Sequence, residues 1–372
     1  MDSQYSPSLL AKLDEIRPCS GEQSICSAVQ RERKDLQAVR RNLQMVRKTH
    51  MDAFSEILTT VKLKGAMFFR AEFSSPWGIS SPASSELAPA LAPGAPHLVI
   101  YHLVTEGKAL ARTQEGKTLE LEPGDIVVFP HGNPHQLLSG GKAHSDLTPA
   151  IIKKIVTHDL SPLRAGGGGQ NTRFVCGYMA CDPFLCRPIL EGLPAILKIN
   201  IRTDRSGQWL ENSILHLVEE AASNQAGSDA MLAKLSEALF VDTLRRYMAG
   251  LPEEQTGWLA GARDPIVGRS LAILHNRVKH PWTIADLAKE VGFSRSSLVE
   301  RFSRFLSVPP MTYLTRWRLQ LAARALTTTP RGVADIGADV GYESEAAFNR
   351  AFKREFGTPP ARYWREAKKF PK

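Results

Sequence analysis

Residues 124–135, GDIVVFPHGNPH, are of types that could perform chemistry. His131 and His135 lie four residues apart in this stretch, and imidazole nitrogens bind Zn, Fe and Mn in proteins. The surrounding glycines, prolines and asparagine are also ordinary turn residues, favoured for their backbone conformations. Two interpretations are therefore open: a metal site that performs a reaction, or part of a pocket that only senses a signal.

Three cysteines, Cys176, Cys181 and Cys186, follow at five-residue spacing. This spacing differs from C-x2-C, so it gives little support to a zinc knuckle. On a strand, Cys176 and Cys181 point to opposite faces, but the Asp-Pro-Phe after Cys181 predicts a turn or helix. One interpretation is buried, inert thiols. The other is a redox switch in which an activated thiolate at Cys176 or Cys181 is oxidised and changes the conformation of a sensor domain.

Composition and length restrict the class of protein. A chain of 372 residues with 43% hydrophobic and 23% charged residues predicts two or three ordinary globular domains. It has no run of about 18 apolar residues, so neither a transmembrane helix nor a membrane partner is expected. The first residues lack the apolar core of a secretory signal, and five cysteines argue against a disulfide framework. A cytoplasmic, thiol-reducing location is expected.

The positive charge is concentrated near the end of the chain. Residues 263–372 contain 20 Lys and Arg but only 10 Asp and Glu, which accounts for the whole formal net charge of +9. A basic domain beside a neutral one predicts a polyanion-binding module. A merely solvated basic surface is the alternative if charge alone is considered.

The patterns along the chain predict a multidomain α+β protein. Residues 1–50 are expected to be an extension, disordered or an artefact of the start site, since Met51 offers a second start. Short apolar runs punctuated by Pro and Gly predict a β-barrel over 51–205. Helical spacing predicts a dimerisation or linker segment over 206–250, although these helices would equally suit covering their own barrel. A linker is expected over 251–263.

Residues 264–368 are predicted to form an all-α domain. Asp264 predicts a helix N-cap, and Thr283 with Asp286 predicts a capping box for a second helix. That helix is expected to end at Gly292, and the next begins at Ser294. Helix, short glycine-containing turn and helix form the signature of a helix-turn-helix unit.

The same pattern returns 49 residues later, where Ser344 caps EAAFNRAFKREF. Side chains in the N-terminal half of such a helix reach base edges in the major groove, and two helices on a stiff connector would enter successive grooves. The residues predicted to contact DNA are Arg295, Ser296, Val299, Glu300, Arg304, Glu345, Ala346, Asn349, Arg350, Lys353 and Arg354. A helical bundle with solvated charged faces is the alternative.

Residues 264–366 resemble the DNA-binding domain of AraC/XylS-family transcription regulators. WTIADLAKEVGFSRSSLVERF and ADIGADVGYESEAAFNRAFKREFGTPPARYW, with the closing G-x-x-P-x-x-Y, carry this resemblance. It implies double-stranded promoter DNA as a partner, and RNA polymerase as another if the protein is an activator. Ser296, Val299 and Glu300 offer few strong base donors, so the first recognition helix is expected to contribute less specificity.

The spacing G-x5-P-x-G-x2-H over 124–135 is similar to the second motif of the cupin barrel, and H-x3-E-G from His102 resembles half of the first. This resemblance implies a Zn, Fe or Mn site that would use His102, His135 and either Glu106 or His131. His102 and Glu106 share a face if the strand is regular. One histidine of the first motif is missing, so a scaffold turn without metal is the alternative.

The region from MDAFSEIL to LPAILKI also resembles the cupin-type sensor domain of some AraC-family regulators, through SSPWGI, PGDIVVFPHGNPH and RFVCGYMACDP. The resemblance implies sensing of a ligand or stress, a small molecule or redox signal, that alters DNA binding. A homodimer is expected, with the helices over 206–250 as candidates for its interface. No catalytic residue is predicted. Two alternatives are a cupin metalloenzyme localised by its basic domain and a DNA-bound scaffold that senses nothing.

Overall fold

The computed structural model describes residues 52–61, 63–140, 150, 151, 153, 154, 157, 159–221 and 226–369. The extension predicted over 1–50 lies outside these residues. All of the described residues belong to the unit that begins at Asp52. No helix in the described part of the chain has the length and apolar composition needed to cross a membrane.

In the described part of the chain, ten strands form two sheets. They are β1 (Lys64–Ser74), β2 (Trp77–Ser81), β3 (His97–Glu106), β4 (Ala109–Thr113), β5 (Thr118–Leu121), β6 (Asp125–Phe129), β7 (His135–Ser139), β8 (Leu163–Gly166), β9 (Asn171–Cys181) and β10 (Leu197–Asn200). The six-stranded sheet has the order β10-β6-β3-β9-β1-β8, and the four-stranded sheet has the order β2-β7-β4-β5. The short apolar runs that predicted a β-barrel include those of β1, β3, β4, β6 and β10.

The two sheets share a core rich in aromatic side chains. Phe73 of β1, Trp77 of β2 and Phe174 of β9 pack together with ring centroids 5.2–5.5 Å apart. Side chains of β4, β5, β6 and β7 complete this cluster. The alternation of side chains along each strand therefore directs one face of both sheets into a closed interior.

Five helices with described bounds accompany the sheets. They are α1 (Ala53–Val61), α2 (Ser84–Leu91), α3 (Pro183–Leu190), α4 (Arg205–Ala221) and α5 (Ser228–Ala249). Helices α4 and α5 pack on each other, and α5 also packs along β1 and β9. The hydroxyl of Ser236 on α5 is hydrogen-bonded to the buried Tyr101 hydroxyl on β3. The helical segment expected over 206–250 therefore covers its own barrel, and Trp209 on α4 stays 65% exposed.

Eight further helices form the basic domain. They are α6 (Trp258–Arg263), α7 (Pro265–Asn276), α8 (Ile284–Val291), α9 (Arg295–Leu306), α10 (Pro310–Thr328), α11 (Val333–Asp339), α12 (Glu345–Phe356) and α13 (Pro360–Lys369). The capping box of Thr283 and Asp286 is present, and Gly292 ends α8 in the left-handed conformation, with φ of 76°. Helix α6 occupies part of the segment expected to be a linker, because Trp258 and Leu259 are buried and anchor it.

The hydrophobic cores do not follow the predicted domain boundaries. One cluster joins apolar side chains of α1, α3, α4 and α5 to those of α7, α8, α9 and the first half of α10. A separate cluster, built around Phe348 and Phe352, belongs to α10, α11 and α12. The sensor region and the first helix-turn-helix unit thus share a core, whereas the second unit has its own.

Asp264 caps helix α7 and links it to helix α9 in the first helix-turn-helix unit. Its carboxylate accepts hydrogen bonds from the backbone N–H groups of Ile266 and Val267, each at 3.0 Å, and lies 2.6 Å from a guanidinium nitrogen of Arg301. Burial raises the pKa of the Asp264 carboxyl, but the Arg301 and backbone hydrogen bonds outweigh it, so this pKa lies below its usual 3.8.

Asp264→Ala should lower the free energy of unfolding by about 1–2 kcal/mol near neutral pH, the usual effect of losing an N-cap. Asp264→Asn should keep the cap and lose only the charge pairing. Because the folded-state pKa is depressed, the stability from the charge is present above pH 3.8 and disappears as the pH falls through the folded-state value. Urea unfolding of the wild type and Asp264→Asn over a pH series measures this. A stability difference that persists unchanged in acid would contradict it.

Candidate functional site

The second helix of each helix-turn-helix unit presents the side chains predicted to contact DNA. On α9 and α12, all of these side chains are exposed except Val299 and Asn349, which are half-buried. On the opposite faces, Phe302 of α9 and Phe348 and Phe352 of α12 are fully buried. The apolar stripe of each helix therefore fixes which side chains point outward.

Local sequence sets where each recognition helix begins. The Ser294 hydroxyl accepts from the Ser297 N–H at 3.2 Å, and the Ser344 hydroxyl accepts from the Ala347 N–H at 3.3 Å. Gly341 precedes the second helix with φ of 86°, and a Cβ there would lie 2.9 Å from the Lys279 carbonyl. The serine caps therefore fix the first residue of each recognition helix.

Polar contacts that sequence reasoning did not anticipate hold the two units together. Arg318 on the connecting helix α10 donates to the carbonyls of Val278 and His280 at 2.8 and 2.7 Å. Lys279, after the first unit's α7, lies 2.6 Å from Asp339 at the end of α11 in the second unit. These contacts join the first unit to the connecting helix and to the second unit.

The interior of the barrel contains His102, from the first cupin-like motif, and His135, from the second. His102 on β3 lies opposite Cys176 on β9 in the strand register, and His135 begins β7. His102 Nδ1 lies 2.5 Å from Cys176 Sγ, and His102 Nε2 lies 2.8 Å from His135 Nε2. His135 Nδ1 in turn lies 3.0 Å from the Asn133 carbonyl oxygen. We call this chain of contacts the Cys176–His102–His135 relay.

The Asn133 carbonyl at the end of the relay determines which ring nitrogens of His102 and His135 carry a proton. The Asn133 oxygen can only accept, so His135 Nδ1 donates to it and His135 Nε2 is an acceptor. His102 Nε2 therefore donates, and His102 Nδ1 accepts from the Cys176 thiol. Burial lowers the pKa of His102 well below 6.5 and that of His135 to about 4, which keeps both rings neutral. Burial also raises the pKa of the Cys176 thiol.

The relay does not have the geometry of the predicted metal site. A register shift in β3 between Val104 and Glu106 turns Glu106 to the surface, where it pairs with Arg173 at 2.7 Å. His131 instead lies 3.1 Å from the Leu193 carbonyl. Among the described residues, no group of three His, Cys, Asp or Glu side chains is arranged to hold a metal ion.

Two nitrogens are fewer than the three protein ligands typical of catalytic zinc sites. Cys176 cannot be the third ligand, because it contacts the opposite side of the His102 ring from Nε2. We therefore expect less than stoichiometric Zn, Fe or Mn in protein purified without chelator. Elemental analysis measures this. One equivalent of metal that is lost in His135→Ala would contradict the expectation.

The three cysteines that the structure describes lie in two environments. Cys176 lies in the barrel interior, whereas Cys181, on the opposite face of β9, lies in the core shared with the helices. Cys186 is on α3, as the Asp-Pro-Phe sequence predicted for a turn or helix, and its thiol is hydrogen-bonded to that of Cys181. The two residues predicted as redox candidates, Cys176 and Cys181, are therefore not neighbours.

A cavity of about 790 Å3 lies where α3 meets the basic domain. Its walls include Trp258, Tyr313 and Trp317, and Arg187 and Arg316 stand around it from the two sides. Small-molecule sites commonly have volumes of about 300–1,000 Å3 with aromatic walls and a few polar groups. The cavity therefore has the size for a small organic ligand.

Comparison with known proteins gives two family matches. A model described as Cupin matches residues 52–249, and a model described as Helix-turn-helix domain matches residues 287–366. The chain is 27% identical over 316 residues to the HTH-type transcriptional regulator AlkR of Acinetobacter baylyi, covering 84% of this chain and 99% of that protein. It is 26% identical over 314 residues to the RCS-specific HTH-type transcriptional activator RclR of Escherichia coli (strain K12), covering 84% of this chain and 97% of that protein.

Among solved structures, the DNA-binding domain of AdpA in complex with a target DNA is similar to part of the chain. The identity is 24%, the similarity covers 28% of this chain and 95% of that chain, and the TM-score is 0.28.

Proposed function

Because the chain belongs to the AraC family of helix-turn-helix transcription regulators with an N-terminal cupin domain, we propose that this domain takes in a small-molecule or redox signal that changes how the two recognition helices engage promoter DNA. The protein binds DNA, and its relatives are transcription regulators rather than enzymes. The observation that carries the proposal is the pair of exposed, similarly capped recognition helices, α9 and α12, held together by α10.

Direct contact between the sensor region and the first helix-turn-helix unit supports a transmitted signal. Helix α1 packs on α7, and Glu56 accepts a hydrogen bond from Asn276 at 2.7 Å. Arg324 on α10 donates to the Thr60 carbonyl at the end of α1. These contacts lie beside one hydrophobic core that includes side chains of both the cupin domain and α9. A change in the packing of the cupin domain would therefore shift the balance between conformations of the first helix-turn-helix unit.

Genome-wide mapping of bound fragments, followed by transcription measurements on the neighbouring genes, tests this function. We expect one enriched motif made of two half-sites, and altered transcription of adjacent genes when the regulator is deleted. Whether transcription rises or falls gives the sign of regulation. Fragments without a shared motif would contradict sequence-specific regulation.

Helices α4 and α5 supply the surface proposed for a homodimer. Trp209 on α4 is 65% exposed and Met231 on α5 is 53% exposed, and large exposed apolar side chains are typical anchors of interfaces. We expect Trp209→Ser to weaken dimerisation by about 2 kcal/mol or more, the usual contribution of an anchoring tryptophan.

Sedimentation equilibrium over a concentration series measures this change. Phe293→Ala is the matched control, because Phe293 is also exposed, at 40%, but lies in the turn of the first helix-turn-helix unit. Equal dimer dissociation constants for the wild type and Trp209→Ser would place the interface elsewhere.

A further inference from the structure

Cys176 differs from the other described cysteines because a base is in contact with its sulfur. His102 Nδ1 lies 2.5 Å from Cys176 Sγ, whereas Cys181 and Cys186 contact each other and have no hydrogen-bonded histidine among the described residues. A thiol next to an imidazole that a third group orients is the arrangement that activates sulfur nucleophiles. The relay supplies all three parts within one buried chain.

A second observation indicates that the same interior accepts a small polar molecule. The indole nitrogen of Trp77 is buried and finds no hydrogen-bond acceptor among the described residues. Trp77 belongs to the same core cluster as Cys176, and Phe174 contacts both Trp77 and His102. An unsatisfied N–H in a buried site costs free energy, so a molecule with an acceptor oxygen would be stabilised there.

We propose that Cys176 is the oxidation site through which the cupin domain detects small, neutral two-electron oxidants of the peroxide class, with His102 as the base and His135 as the positioning residue. This inference rests on the regulatory function proposed above and gives its signal a chemical class. It assigns no such role to Cys181 or Cys186.

The chemistry balances with hydrogen peroxide as the oxidant. Cys176 sulfur attacks one peroxide oxygen, so that an S–O bond forms and the O–O bond breaks. His102 Nδ1 accepts the thiol proton and returns it to the departing hydroxide, which leaves as water. Sulfur is oxidised by two electrons to a sulfenic acid, and the peroxide is reduced by the same two electrons.

Burial lowers the pKa of His102 and raises that of the Cys176 thiol, so an imidazolium–thiolate pair does not form in advance. The base is needed because the thiol proton has to leave sulfur as the S–O bond forms. His135 holds His102 in the required tautomer, because its Nε2 accepts the His102 Nε2 proton and leaves Nδ1 free. Since Cys176 is only 1% exposed, the oxidant has to be about the size of water.

Strand β9 connects this site to the DNA-binding domain. An added oxygen atom overfills the packed interior and removes the S–H donor of the relay, which forces neighbouring side chains to shift. β9 runs from Asn171 to Cys181 and leads into α3, which packs against α10 between the two helix-turn-helix units. Oxidation of Cys176 is thereby coupled to the connector of the recognition helices.

The test treats the purified full chain with hydrogen peroxide for a series of times and removes the peroxide with catalase. The protein is then unfolded in denaturant that contains a 1,3-diketone, which traps buried sulfenic acid, and each cysteine is measured by peptide mass spectrometry. We expect Cys176 to react at least about tenfold faster than Cys181 or Cys186. His102→Gln should slow Cys176 by at least about tenfold, a modest value for loss of a general base. His135→Gln, whose amide oxygen still accepts from His102, should retain the rate that His135→Leu loses.

Operator affinity is measured on the same samples before and after oxidation. We expect oxidation to change the affinity of the wild type and of the matched control Cys181→Ser, and to leave Cys176→Ser unchanged. Equal oxidation rates for Cys176, Cys181 and Cys186, an unchanged affinity after oxidation of Cys176, or a response that survives Cys176→Ser would each overturn the inference. Failure of the reduced wild type to bind any specific sequence would instead overturn the proposed function.

Discussion

Phe352→Ala should unfold the second helix-turn-helix unit and abolish sequence-specific DNA binding while the cupin domain stays folded. Phe352 is fully buried, with ring centroids of Phe348, Phe356 and Tyr363 at 4.5–5.6 Å. Removing a buried phenylalanine costs about 3–5 kcal/mol. The core around Phe352 is separate from the core of the sensor region, so the loss is expected to stay local.

Far-ultraviolet circular dichroism during urea unfolding measures this effect, together with operator affinity. We expect an early transition in Phe352→Ala that accounts for part of the helical signal, followed by a main transition near that of the wild type. Phe356→Ala is the matched control on the same helix, since Phe356 is only half-buried and should cost less. A single cooperative transition for the whole of Phe352→Ala, or an unchanged operator affinity, would contradict two separate cores.

Arg350→Ala and Lys353→Ala should weaken DNA binding in two distinguishable ways. Both side chains are exposed on α12. Arg350 suits a guanine edge, so its loss should cost about 1–3 kcal/mol and relax the base preference at one position. Lys353 suits a phosphate, so its loss should weaken binding to all sequences alike. It should also reduce the slope of log affinity against log salt concentration by about one.

Titrations of the operator and of single-base variants at several salt concentrations separate these outcomes. Lys234→Ala is the matched control, since Lys234 is an exposed lysine on α5 that pairs with Glu237 at 2.8 Å, in the sensor region. It should leave both specificity and salt slope unchanged. If Arg350→Ala kept the full base preference of the wild type, α12 would not read bases in the way its exposed face suggests.

The helical domain was predictable because its signals are local. The Thr283–Asp286 capping box, the glycine that ends α8 and the serine caps of α9 and α12 all depend on residues within a few positions of one another. The repeat of this pattern identified two units and the side chains that face outward. Apolar runs of β1, β3 and β6 were recognisable for the same reason, since each strand alternates within itself.

The barrel interior was less predictable because it depends on register between distant strands. Contact between His102 and Cys176 joins residues 74 positions apart, and no local pattern states that they are opposite each other. The irregularity in β3 turned Glu106 away from His102, although regular alternation places them on one face. His102 and His135 therefore lie next to each other, whereas Glu106 lies at the surface beside Arg173.

Sequence patterns also did not predict features that depend on how helices pack together. Trp209 falls on the apolar spacing of α4, yet it is exposed, because the helix rests on α5 through other side chains. Helix α6 has only six residues, too few for a periodic signal, and it is held by burial of Trp258. Such features depend on tertiary packing, which overrides local preference.

Competition between DNA duplexes at about 0.15 M salt measures whether both recognition helices read sequence. We expect the mapped operator to bind at least about 10³-fold more tightly than a duplex of the same composition in scrambled order. Inserting about 5 base pairs between the half-sites should remove most of this preference, because it rotates one groove away from its helix. Affinities within a few-fold of each other for all three duplexes would contradict the account.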